Sequence, residues 1–79
     1  MNLEEIRANI DLIDDKIADL YGERMKLVGK VGEAKKQSGK AVNDPDRERK
    51  ILLRVCERVD KDAQVYLKRV FETMFDTPC

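Results

Sequence analysis

Apolar residues near the start of the chain fall into a regular beat. Leu3, Ile6, Ile10, Ile13, Ile17 and Leu20, then Leu27, Val31 and Ala34, recur at alternating steps of three and four, and the missing beat between Leu20 and Leu27 falls on Arg24. This spacing predicts an amphipathic helix in heptad register. Asn2 is a suitable N-cap, with Glu5 as its capping-box partner. No proline interrupts before Pro45, so the helix is expected from about Leu3 to about Lys36, ending near Ser38 and Gly39. At the α-helical rise it would be about 50 Å long. A compact globule of this chain length has a radius of gyration of only about 12 Å. The remaining residues cannot cover such a stripe along its length, so a second copy of the chain is expected to do so.

Gly39 to Asn43 form a polar connection, after which Asp44-Pro45 gives an N-cap followed by proline at the first helical position. Ile51, Leu52, Val55 and Val59 make one face of a second helix, expected to end near Arg58. Asp60 or Asp62 can cap a third, with Leu67, Val70, Phe71 and Met74 on its inner face, Tyr66 and Phe75 flanking it, and Pro78 closing it. The expected architecture is all-α, a single domain over residues 1–79 with helices at about 3–36, 45–58 and 62–76, paired into a helical homodimer. Gly22, Gly29 and Gly32 lie inside the first helix, where each costs about 1 kcal/mol against alanine. Close approach of a backbone or ligand would offset that cost, and packing strong enough to tolerate it is the equal alternative.

Composition supports helix, with 41% charged residues, 5% aromatics and 2 prolines. Sixteen basic residues balance sixteen acidic ones, so no overall field draws the chain to nucleic acid or an anionic membrane. Any anion site must come from local placement of charge. No apolar run approaches a membrane span, and the acidic N-terminus is unlike a signal peptide. Cys56 and Cys79 form no disulfide framework or metal-type cluster, and the expectation is reduced thiols in a cytoplasmic protein. Histidine is absent, which removes the commonest general base and zinc ligand.

Several charges stand where apolar residues belong. Arg24 holds a seam position, so its guanidinium must meet a carboxylate, reach out to water, or bind a ligand anion. Arg7 lies on the flank of the stripe, where a solvated charge is the plain alternative. Lys35 sits where a cation also complements the C-terminal helix dipole. Glu48 precedes Ile51 and Leu52 by one turn and shares their face, with Arg47 beside it. A carboxylate at such an edge usually pairs with an arginine. Taken together these residues suggest more. Arg24 and Lys35 are three helical turns apart and so lie on one side. A second helix folding back would bring Arg47 and Glu48 toward them, and a partner helix could bring Arg7. Several cations and one carboxylate suit a small dianion, and can hold a substrate in a reactive shape and stabilise developing charge.

The run Arg7-x2-Ile10-x2-Ile13-Asp14-x2-Ile17-x2-Leu20-x3-Arg24-x6-Val31-x3-Lys35, followed by Asn43-Asp44-x2-Arg47-Glu48, closely resembles the all-helical chorismate mutases. The match is continuous from about Leu3 to Arg49 and looser beyond, where Tyr66 and Phe71 fit the third helix. The resemblance implies an intertwined homodimer with two sites, each completed by the other chain. It implies cofactor-free, metal-free rearrangement of chorismate to prephenate in aromatic amino-acid biosynthesis. Arg24 and the partner's Arg7 would bind the two carboxylates. Lys35 would donate to the ether oxygen, Glu48 and the backbone at Asp44 would hold the ring hydroxyl, and Arg47 would orient that end. Lys35, Arg24 and Glu48 are thereby the expected catalytic residues, and Arg7, Asp44 and Arg47 complete the substrate-binding set.

The resemblance weakens at the C-terminus. The family's third helix usually runs further, supplying a small hydroxyl residue and, one turn on, a glutamine or glutamate as second donor to the ether oxygen. Here Pro78 falls near the hydroxyl position, with Thr77 as a substitute, and the sequence stops at Cys79. Loss of one such donor typically costs about 10²–10³ in rate, so a weak or inactive mutase is expected unless another residue replaces that donor, with activity restorable by one or two added helical turns ending in glutamine. A shortened form, one domain of a longer enzyme fused to another aromatic-pathway domain, and a natural short form all fit. The alternative class is a non-catalytic, mutase-like dimerisation or ligand-sensing module. A coiled-coil adaptor would explain the stripe but not Arg24.

Overall fold

The computed structural model describes residues 1–39 and 44–76. Three α-helices follow in order: α1 (Leu3–Ser38), α2 (Pro45–Cys56) and α3 (Lys61–Asp76). They form two compact units, the first carried by α1 and the second by α2 and α3.

Helix α1 begins as its sequence dictates. The side chain of Asn2 accepts the backbone N–H of Glu5 at 2.9 Å, and its carbonyl accepts that of Ile6 at 3.1 Å, which satisfies donors that a helix start otherwise leaves open. Glu4 and Glu5 lie in the first turn and Lys35 and Lys36 in the last, each sign matching the helix dipole. The helix runs two residues beyond Lys36. The Ser38 hydroxyl donates back to the Lys35 carbonyl at 3.0 Å, and Gly39 follows with φ of 75°. That left-handed conformation, open to glycine without steric cost, turns the chain out of the helix.

The apolar stripe of α1 stays on the surface of the chain. Leu3, Ile6, Ile10, Ile13, Ile17, Leu20, Leu27 and Val31 are between 42% and 63% exposed. The covered positions of α1 are centred to one side of that stripe and include Arg24 of the seam itself: Gly32 is buried, and Arg24, Met25, Val28, Gly29 and Lys35 are half-buried.

Helices α2 and α3 pack on each other. Asp44 caps α2, its carboxylate accepting the Arg47 N–H at 3.1 Å, and Pro45 opens the first turn. The covered face of α2 is Glu48, Ile51, Leu52, Val55 and Cys56, continued by Val59. Ile51, 7% exposed, is its centre. The helix ends at Cys56, short of the expected Arg58, because the chain tightens there: Arg58 N–H donates to Val55 O at 3.1 Å and Val59 N–H to Cys56 O at 3.4 Å. These i→i−3 bonds end the helix without a glycine. Of the two aspartates that could start α3, Asp60 does so, its carbonyl accepting Ala63 N–H at 2.9 Å and Gln64 N–H at 3.1 Å.

The covered face of α3 is Gln64, Leu67, Phe71, Met74 and Phe75. Val70, expected inside, is 54% exposed. At about 100° per residue it falls on the flank beside Tyr66, past the edge of the arc centred on Phe71. The rings of Phe71 and Phe75 stack at a tilt, 6.2 Å between centroids. On the outer side the Arg69 guanidinium sits 5.7 Å from the Tyr66 ring centroid, a distance at which a cation is attracted by the ring face.

Candidate active site

The candidate residues fall on two elements. On α1, Arg24 and Lys35 are both half-buried, eleven residues apart. In an ideal helix that separation is about 16 Å of rise and a rotation offset of about 20°, so the two cations face the same way from opposite ends of one strip. Val28 and Gly32 lie between them on that strip. Both cations engage in interactions within the chain. Arg24 is more covered than the seam leucines that flank it, since Leu20 and Leu27 are 63% and 61% exposed.

Arg7 is exposed near the other end of α1 and is not brought to Arg24. Seventeen residues separate them, about 26 Å of helix rise. One small ligand cannot touch Arg7 and Arg24 of the same α1.

On α2 the first turn gathers Asp44, Arg47 and Glu48. The Arg47 N–H donates to the Asp44 carboxylate at 3.1 Å, and the Glu48 N–H donates to the Asp44 carbonyl, also at 3.1 Å. Glu48 is half-buried on the face that carries Ile51, whereas Asp44 and Arg47 are exposed. Arg49 points away from this role and pairs with Asp46 on the exposed side. The three residues singled out as catalytic, Arg24, Lys35 and Glu48, are thus all half-buried charges, and the remaining three sit on the surface of the chain. Asn43, Thr77, Pro78 and Cys79 lie outside the described residues.

Among the described residues no group of histidine, cysteine or acidic side chains is placed to hold a metal ion, and no helix is long and apolar enough to cross a membrane. One residue escaped the sequence pattern. Gln64 stands on the covered face of α3, three residues before Leu67, and its side chain bonds to α2. The available signal was a polar residue on an apolar beat, the same kind of signal that exposed Arg24.

Such a placement of charge on the first two of three helices agrees with what the chain matches. The family model for chorismate mutase type II matches residues 6–77, and the chain belongs to that family. It is 39% identical over 77 residues to a chorismate mutase of Methanocaldococcus jannaschii, covering 94% of this chain and 77% of that protein. It is 38% identical over 61 residues to a bifunctional chorismate mutase/prephenate dehydratase of Aquifex aeolicus, covering 77% of this chain but 17% of the relative. A protein of the same description from Escherichia coli K12 is 35% identical over 74 residues, 90% of this chain and 19% of the relative. The chain therefore spans most of the first relative and under a fifth of each bifunctional one. No solved structure gives a significant match.

Proposed function

We propose that the chain catalyses the rearrangement of chorismate to prephenate without a cofactor, as an intertwined homodimer with two sites. The observation that carries this reading is the half-buried pair Arg24 and Lys35 on one strip of α1, in a chain of the chorismate mutase family. Chorismate has two carboxylates and an ether oxygen that gains negative charge as its carbon–oxygen bond breaks. Arg24 binds one carboxylate. Arg7 of the partner subunit binds the other, a division supported by the separation of about 26 Å between the two arginines along a single helix. The Lys35 ammonium donates to the ether oxygen. Its contribution grows as the bond breaks, so it stabilises the transition state more than the ground state.

Glu48 and the backbone at Asp44 hold the ring hydroxyl, and Arg47 orients that end. The carbonyl of Asp44 is already committed to the Glu48 N–H, so the capped turn presents the carboxylate of Glu48 on a fixed backbone. Holding the substrate in its compact conformer supplies the remaining gain. The dimer reading rests on the α1 stripe, whose eight large apolar side chains are 42–63% exposed in the single chain. Isolated exposed apolar residues are ordinary, but a continuous heptad stripe is the signature of helix pairing. A cytoplasmic location completes the reading, and the free thiol of Cys56 is consistent with a reducing compartment.

The test is loss of chorismate over time with the purified chain beside Lys35→Ala. Turnover is expected, and the variant is expected to lose about 10²–10³ of it, as for removal of one donor to a developing oxyanion. No turnover in either, with a transition-state analogue still bound, would replace the enzyme with a non-catalytic ligand-binding module. Turnover unchanged in Lys35→Ala would remove Lys35 from the role given to it.

A further inference from the structure

Gln64 ties the end of α2 to the start of α3. Its side-chain Nε2 donates to the Cys56 carbonyl at 2.7 Å and to the Val59 carbonyl at 3.4 Å, and the Cys56 thiol lies 3.9 Å from the Gln64 carbonyl. The carbonyls at a helix C-terminus lack partners within their own helix; here the Val55 carbonyl accepts the Arg58 N–H, and the last one, that of Cys56, is taken by the Val59 N–H and by a side chain from the next helix. The consequence is directional. Apolar contacts around Ile51 hold α2 and α3 together but are insensitive to a modest change of angle, because burial of apolar surface is non-directional. Hydrogen bonds weaken steeply when bent. The amide of Gln64 therefore fixes an orientation that packing alone leaves loose.

The angle matters because of what α2 carries at its other end. Glu48 lies eight residues from Cys56, about 12 Å along the axis, so a swing of about 10° about Cys56 moves Glu48 by about 2 Å. Misplacement by about 1 Å in an active site can cost about 10²-fold in rate. We infer that Gln64 is a positioning residue for the mutase reaction: its amide sets the tilt of α2 on α3 and, through it, where Glu48 and Arg47 meet the substrate. This role rests on the function proposed above.

Gln64→Met keeps the length and the apolar stem of the side chain and removes both donors. Its kcat/KM is expected to fall about tenfold or more, with helical circular dichroism retained at a temperature well below the Tm. Gln64→Lys, which restores an N–H donor, should recover part of that loss. The decisive comparison is made in a Glu48→Gln background. There Gln64→Met should cost markedly less than in the unaltered chain, since the carboxylate it positions is already gone, only Arg47 is left to misplace, and coupled residues are non-additive. The same factor in both backgrounds, or an unchanged kcat/KM in Gln64→Met, overturns the role. If Gln64→Met does not fold, Gln64→Asn withdraws the amide by one methylene and the same two backgrounds apply. No turnover by the unaltered chain would instead sink the mutase reading, and this role with it.

Discussion

The two units of the molecule solve the same problem in opposite ways. In the α2–α3 hairpin each helix supplies the other's missing surface: Ile51 is 7% exposed, and Gln64 closes the polar groups at the turn. Helix α1 has thirty-six residues and a far longer apolar stripe, yet its eight large seam side chains remain between 42% and 63% exposed. A twelve-residue helix with a sixteen-residue neighbour can bury a face within one chain. Helix α1 presents its seam as a surface for something else to cover. The contrast teaches that apolar periodicity reports the need for a partner but does not say whether the partner belongs to the same chain.

Three substitutions sharpen or break this contrast. The largest effect is expected from Ile13→Asp, at the middle of the exposed seam. If the seam is the interface of the proposed dimer, burying a carboxylate there costs several kcal/mol, and sedimentation should show the dimer lost together with turnover. A dimer that persists unchanged would mean the seam is a solvent face, and α1 would need another explanation. Next is Ile51→Ala in the hairpin, where deletion of a buried side chain should cost about 2–4 kcal/mol, read as a lowered Tm in thermal unfolding. An unaltered Tm would show that Ile51 is not the centre of the packing between α2 and α3. The smallest is Gly22→Ala on the exposed face of α1. A Cβ there meets nothing within 4 Å, so the gain in helix propensity, about 0.5–1 kcal/mol, should appear as a slightly raised Tm. A loss instead would mean that another chain approaches the helix at that glycine.

Much of the architecture was legible because it rests on local chemistry. The apolar periodicity without a proline set the run of α1, while Asn2 and Gly39 set its ends and Asp44-Pro45 the start of α2, these through backbone groups that must be satisfied within a few residues. The end of α2 was not legible. No glycine or proline marks it, and the tightened turn after Cys56 is held by Gln64, eight residues on. Val70 was misplaced for a related reason. Leu67, Val70, Phe71 and Met74 all fit a helical beat, and only the packing of α3 on α2 decides that the covered arc is centred on Phe71 with Val70 on its edge.

The candidate site divides along the same line. The sequence by itself determined that Arg24 and Lys35 share one strip of a helix, that Arg7 cannot join them from the same chain, and that Asp44, Arg47 and Glu48 belong to one capped turn. All of these follow from the fixed rise and rotation of an α-helix. Tertiary structure decided which of these charges are covered, that Arg24 is more buried than the leucines of its own seam, and that a glutamine on α3 holds the end of α2. Burial and directed hydrogen bonds depend on which residues, distant in the chain, meet in space. Helical periodicity narrows those encounters to a face, and packing selects among the residues that share it.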